Sequence, residues 1–259
     1  MLRTNWLALS LLALAAAAFT PSATSAMRGS SAIAAAAASP CSLPAFGPGS
    51  GYRPRIHPAT FSANVDNPYF PLTPGAVNVY SGTKDGKAAL NVFAPTARTA
   101  VIDGVTTRVV EDRLYLNGVL EERTSDYYAQ DACGNVWYFG EDTATLDRHG
   151  NVTSREGSFH AGVDGAQPGV FMEAASVVGH QFRQEWSAGH AEDLYRVLAL
   201  DVPHTVRAGH FAHTLRTKET TALEPTVVDN KYYVAGIGEI AELSVKGPLE
   251  KLTLVEVIK

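Results

Sequence analysis

From Ala76 onward the chain alternates apolar and polar residues with period two, in short runs broken by glycine, aspartate and asparagine. The runs are Ala76 to Ser81, Ala88 to Phe93, Thr99 to Ile102, Thr106 to Leu116, Leu120 to Gln130 and Val136 to Gly140. After a gap they resume at His180 to Trp186, Glu192 to Leu200, His213 to Thr220, Lys231 to Val234, Glu239 to Val245 and Leu252 to Ile258. Each has the composition of a β-strand. Between them stand Lys84-Asp85-Gly86, Asp103-Gly104 and Asn117-Gly118, the residues that tolerate the positive φ of a tight hairpin turn. The pattern D-x-x-G-N-V occurs at Asp131 and again 16 positions later at Asp147, which reads as two successive hairpins. No long stretch keeps a helical period. The expected fold is all-β, an antiparallel meander forming an open or closed β-barrel of lipoprotein-like or lipocalin-like type.

The stretch Asp126 to Asp142 stands at the centre of this pattern, with Tyr127, Tyr128, Trp137, Tyr138 and Phe139 on the two arms of one hairpin. Aromatic pairs across the arms would hold it together. Upstream, Asp66 to Gly75 carries Pro68, Pro71 and Pro74, which exclude a helix and leave Tyr69, Phe70 and Leu72 to plug one end of the core. One region breaks the rhythm. Glu156 to Val178 is glycine-rich with little strand character, and reads as a long loop, a possible lid over a barrel mouth.

The beginning of the chain has a different character. Arg3, the apolar run Trp6 to Phe19 and the small residues Ala23 to Ala26 have the form of a secretory signal peptide over residues 1–26. The apolar run, about 14 residues, is short of the roughly 20 a spanning helix needs, so no membrane span is expected after cleavage. Residues 27–60 are rich in alanine, serine, proline and glycine and read as a flexible tether. Residues 61–259 then form a single domain, secreted or periplasmic. Removing Arg3 with the leader leaves 20 basic residues against 26 acidic ones, a balance that offers nothing to nucleic acid. In an exported chain the two cysteines, Cys41 and Cys133, are natural disulfide partners.

Strand parity is the route to interior chemistry. One face of Thr106 to Leu116 carries Asp112 among apolar residues; the matching faces further on carry Glu192 and Arg196, then His213 and Glu219. If these faces point inward, Asp112, Glu192, Arg196, His213 and Glu219 share the lumen. The alternative is that they are scaffold ion pairs, or that the register is off by one and they face water. The histidines lack ligand spacing, with no H-E-x-x-H and no paired C-x-x-C, so neither a metal nor another cofactor is expected. No G-x-S-x-G is present for nucleophilic catalysis.

The motifs D-N-P-Y-F-P-L at Asp66 to Leu72 and Y-Y-A-Q-D-x-x-G-N-V-W-Y-F-G-E-D at Tyr127 to Asp142 resemble those of an uncharacterised family of exported bacterial proteins. Further matches fall at Ala161 to Gly169 and Lys231 to Gly238. The resemblance implies export and carries over no functional residues. By fold-level analogy the pattern is similar to open-barrel folds that carry lipids in the bacterial envelope. Three functions follow. The first is an envelope protein binding a small apolar molecule or lipid, with Tyr127, Tyr128, Trp137, Tyr138 and Arg196 as its contacts. The second is an envelope hydrolase, lyase or isomerase using Asp112, Glu185, Glu192, His213 and Glu219. The third is a structural or interaction module with no cavity.

Overall fold

In the computed structural model, which describes residues 42–259, the period-two runs become sixteen strands and the only helical turns are two 3-10 turns. In chain order the first eight are β1 (Phe61–Ser62), β2 (Val77–Lys84), β3 (Lys87–Ile102), β4 (Val105–Leu116), β5 (Val119–Asp131), β6 (Val136–Leu146), β7 (Val152–Ser154) and β8 (Phe159–His160). The other eight are β9 (Gln167–Met172), β10 (Gln181–Arg183), β11 (Glu185–Trp186), β12 (Asp193–Val206), β13 (Gly209–Thr221), β14 (Val228–Val234), β15 (Gly238–Lys246) and β16 (Glu250–Ile258). The signal peptide and Cys41, with its expected link to Cys133, lie outside the described residues.

The turns form as their residues dictate. Asp85 and Gly86, Asp103 and Gly104, and Asn117 and Gly118 all have positive φ, the two-residue hairpin geometry that matches strand twist. The two D-x-x-G-N loops are near copies. Asp131 Oδ1 accepts the N–H groups of Cys133 and Asn135 at 2.9 and 3.0 Å, and Asp147 Oδ1 accepts those of His149 and Asn151 at 2.8 and 2.9 Å. In each loop the asparagine amide donates to the second carboxylate oxygen.

Neighbouring strands run antiparallel in the order β10-β12-β13-β14-β15-β16-β2-β3-β4-β5-β6-β9-β11. This is a nearly closed barrel, because its two ends are consecutive pieces of chain. Gln181–Arg183 pairs with β12 and Glu185–Trp186 pairs with β9, so one short segment joins both edges. Closure removes the long open edges that invite aggregation. It also corrects the expectation for the glycine-rich region. Gln167–Met172 pairs with Val136, Trp137 and Tyr138 as a strand of the wall, and the region is no lid. Gly169 is needed there, since a Cβ would stand 2.2 Å from the backbone of Gln184.

Packing begins before Phe61, within the stretch read as a tether. Tyr52 is buried and donates its hydroxyl to the Pro168 carbonyl, while Arg183 holds the Gly47 carbonyl and stacks on Trp186. The Asp66–Leu72 segment caps one end of the barrel as its prolines suggest. Asn67 donates to the carbonyls of Gly134 and Glu173, and Phe70 packs edge-on against Phe93 and Tyr128. The long β12–β13 hairpin, bent by three register shifts, lays its far end on the outside of the barrel, where His204 stacks on Tyr232.

A carboxylate-rich lumen as the candidate functional site

The inward faces of β2 to β6 and β14 to β16 enclose a cavity of about 280 Å³. Its apolar wall is mostly aromatic: Phe70, Tyr80, Phe93, Tyr128, Tyr138 and Phe171. The polar lining holds seven carboxylates, Asp112, Glu122, Asp126, Glu141, Glu239, Glu242 and Glu250, against two cations, Lys84 and Lys231.

Parity explains most of this placement, and bulges explain the rest. On β5 the even positions Glu122, Thr124, Asp126 and Tyr128 all face in. On β6 a register shift between the pairs Tyr127↔Gly140 and Tyr128↔Tyr138 lets both Tyr138 and Glu141 face in, although their parity differs. A second shift, on β15 around Ile240, does the same for Glu239 and Glu242.

The charges are divided between two sides. Lys231 lies opposite Glu242 and approaches Glu219, Glu242 and Glu239 at 3.4, 3.6 and 3.8 Å. Burial works against its charge, yet the three carboxylates outweigh that and hold it well above the usual lysine range. Lys84 is paired with Glu250 at 2.9 Å. The opposite wall has no such compensation. Asp112, Glu122, Asp126 and Glu141 form no salt bridge with any cation among the described residues. Asp126 and Glu141 are direct cross-strand partners, a juxtaposition of like charges that costs stability when both are ionised.

Protonation is one way out. Asp112 is surrounded by protein but keeps part of its surface open to the cavity; burial pushes it up to about 7, against the stabilising amide of Asn91. Asp126, only 7% exposed, is pushed up to about 8 by burial and by the charge of Asp112, while the Tyr138 hydroxyl, 2.7 Å away, pulls it down. Burial and the charge of Asp126 drive Glu141 well above the usual carboxylate range. Asp112 and Asp126 are thereby poised between neutral and charged near physiological pH.

Of the residues singled out from sequence, Asp112, Tyr128 and Tyr138 line the cavity, and Glu219 stands beside it on Lys231. Glu185 is buried on β11, where burial and the charge of Asp193 push it well up. The others are corrections. Arg196 is exposed, because in β12 it is Tyr195 and Val197 that turn inward, one residue out of the expected register. Glu192 on the approach to β12 caps a turn by accepting the Gly189 N–H. His213 lies at the surface, in the bulged part of the β12–β13 hairpin, and meets the exposed Asp201. Tyr127 and Trp137 face away from the lumen, donating to Asp142 and Asp131 respectively. Glu185, Glu192, His213 and Glu219 therefore do not converge with Asp112 in one pocket.

Reasoning from sequence missed Lys84, Lys231, Glu122, Asp126, Glu141, Glu239, Glu242 and Glu250. For β5 the signal was present, since Glu122 and Asp126 share parity with Tyr128. For Glu141 and Glu239 it was not, because a bulge leaves no period of its own. Among the described residues no cluster of histidine, cysteine, aspartate or glutamate could hold a metal ion, and no helix is long and apolar enough to cross a membrane.

No family model matches this sequence, and no curated protein matches it. Among solved structures the chain is similar to a crystal structure described as a putative lipoprotein from Parabacteroides distasonis ATCC 8503. That similarity has 9% identity and a TM-score of 0.37, and it covers 73% of this chain and 98% of the other.

Proposed function

We propose that this is an exported binding protein of the cell envelope that holds a small organic molecule in its barrel lumen. The observation that carries this reading is the cavity, in which aromatic rings and carboxylates share one wall. At about 280 Å³ it lies just below the roughly 300–1,000 Å³ typical of ligand pockets, room for a small molecule. The lining modifies the expectation of an apolar ligand. A lipid chain would strip water from Asp112, Glu122, Asp126 and Glu141 and return no hydrogen bond, so a ligand that brings polar hydrogens fits better. The cavity also counts against a purely structural module.

The test is native mass spectrometry of the protein isolated from the envelope of its own host. A discrete non-covalent adduct is expected on the wild type and none on Glu122→Trp, which fills the lumen without removing a hydrogen bond or ion pair. A bare wild-type mass, or an adduct that survives the substitution, would sink the proposal.

One observation favours a second reading, an envelope hydrolase, lyase or isomerase. Asp112 at about 7 and Asp126 at about 8 have the acidity of general acids working near neutral pH. Under that reading Asp112→Asn and Asp126→Asn would each abolish turnover of a bound molecule while leaving its binding measurable. Under the binding reading no turnover occurs in the wild type.

A further inference from the structure

The lumen borders a second chamber of different chemistry. A cavity of about 330 Å³, lined by Thr73, Pro74, Pro95 and Val257 among others, shares four wall residues with it: Pro71, Asn78, Phe93 and Ile237. No Asp or Glu side chain lines this outer chamber, and its single charged lining residue is Lys259, whose ammonium would turn a cationic head away from it. The two cavities thus adjoin at these four residues, one rich in carboxylates and the other without them.

We infer that the ligand is an amphipathic organic cation, with an ammonium head against Asp112, Glu122, Asp126 and Glu141 and an apolar body extending toward the outer chamber. This deepens the binding reading above and rests on it. The lumen lysines are committed to Glu250 and to the Glu219, Glu239 and Glu242 group, so the four remaining carboxylates have no cation of their own. Asp126, nine-tenths buried, uses Oδ1 to accept from Tyr138, and its Oδ2 has no donor among the described residues. Glu122 and Glu141 likewise have no side-chain hydrogen bond or ion pair among the described residues. An ammonium group supplies three N–H donors and a positive charge at the Asp126–Glu141 juxtaposition, replacing repulsion with charge-assisted hydrogen bonds. The rings of Tyr128, Tyr138 and Phe171, packed on one another beside these carboxylates, add faces on which a cation or its first methylenes can rest. A bare metal ion is a poor fit, because no three of the carboxylates cluster closely enough to ligate one. An anion would meet a wall of its own sign.

The experiment is isothermal titration of the mature protein at pH 8 with hexylamine, 1-hexanol, hexanoate and ethylamine. Hexylamine should bind at least about tenfold tighter than hexanol, by the loss of one charge-assisted bond or more. Ethylamine, with four fewer carbons of apolar body, should be weaker by a similar factor, and hexanoate should not bind. In Asp126→Asn/Glu141→Gln the hexylamine affinity should drop at least about tenfold while hexanol is unchanged, with circular dichroism confirming the fold. Should that pair fail to fold, Glu122→Gln, which breaks no contact, should weaken hexylamine alone by a few fold. Hexanol binding as tightly as hexylamine, or no hexylamine binding, overturns the inference. The lumen reading survives the first result if Glu122→Trp abolishes hexanol binding. It also survives if the natural adduct is found and lacks a basic nitrogen, which again overturns the cation. A bare wild-type mass defeats both.

Discussion

Lys231 is the single side chain on which most of the lumen charge depends. Its substitution by methionine leaves Glu219, Glu239 and Glu242 facing one another with little water between them, which should cost about 3–5 kcal/mol of stability in urea unfolding at pH 8. At pH 5 the cost should be smaller, because Glu219 and Glu239, which burial already pushes above the usual carboxylate range, can take up protons. An equal loss at both pH values would show that the ammonium contributes by packing rather than charge. Lys231 was invisible to parity reasoning for a simple reason: a lysine on a strand is ordinarily read as solvent-facing, and only the three carboxylates around it make burial tolerable. Asp112 was legible because apolar Val110, Leu114 and Leu116 share its face. Arg196 was misread because Leu194, Leu198 and Leu200 share its parity too, while β12 buries Tyr195 and Val197 instead.

At the level of elements the two D-x-x-G-N loops make a controlled comparison, since local hydrogen bonds are the same and burial is not. Asp131 is buried and also accepts the Trp137 indole N–H at 3.0 Å; Asp147 is only half-buried and accepts solely from its own loop. Asp131→Ala should therefore lower stability by about 2–3 kcal/mol, stranding the Asn135 and Trp137 donors, whereas Asp147→Ala should leave the unfolding midpoint nearly unmoved. Comparable losses would mean the loop conformation, and not the buried donors, carries the energy. Both loops were readable in advance because their chemistry lies within five residues. The aromatic hairpin, closed by the first of these loops, was readable as a hairpin but not as a wall. Parity sends Tyr128 inward and Tyr127 outward, while the β6 bulge turns Tyr138 into the lumen with Glu141.

For the whole molecule, raised carboxylate pKa values make an unusual stability profile. Asp112 and Asp126 sit at about 7 and about 8 in the fold against 3.8 ordinarily, so the folded state holds their protons more tightly than the unfolded chain. That contribution is complete below about pH 4 and disappears as pH rises through 7 to 8. The groups facing Asp126 are Asp112, Glu122 and Glu141, with Lys231 and the Tyr138 hydroxyl opposing them. The ligand-free barrel should melt at progressively lower temperature from pH 5 to pH 9, and Asp126→Asn should flatten that slope. A melting temperature that climbs over this range would contradict the buried, unpaired state of these acids. Closure makes a separate prediction. In Gly169→Val the new side chain collides with the Gln184 backbone, and hydrogen exchange at 181–186 and along β9 should speed up before exchange elsewhere. Uniform acceleration would instead show that closure and the rest of the barrel open as one unit.

Local chemistry determined the strands, the Asp-Gly and Asn-Gly hairpins, the proline-bound cap at Asp66–Leu72 and the antiparallel class of the fold. Each of these depends on residues within one or two turns of one another, so a linear reading reaches them. Which faces turn inward past a bulge, the conversion of Gln167–Met172 from apparent loop to barrel wall, and the gathering of seven carboxylates and two lysines in one lumen were decided by tertiary structure. A bulge shifts side-chain parity without leaving a period, and the lumen's ion pairs join residues of different strands, which no linear pattern records.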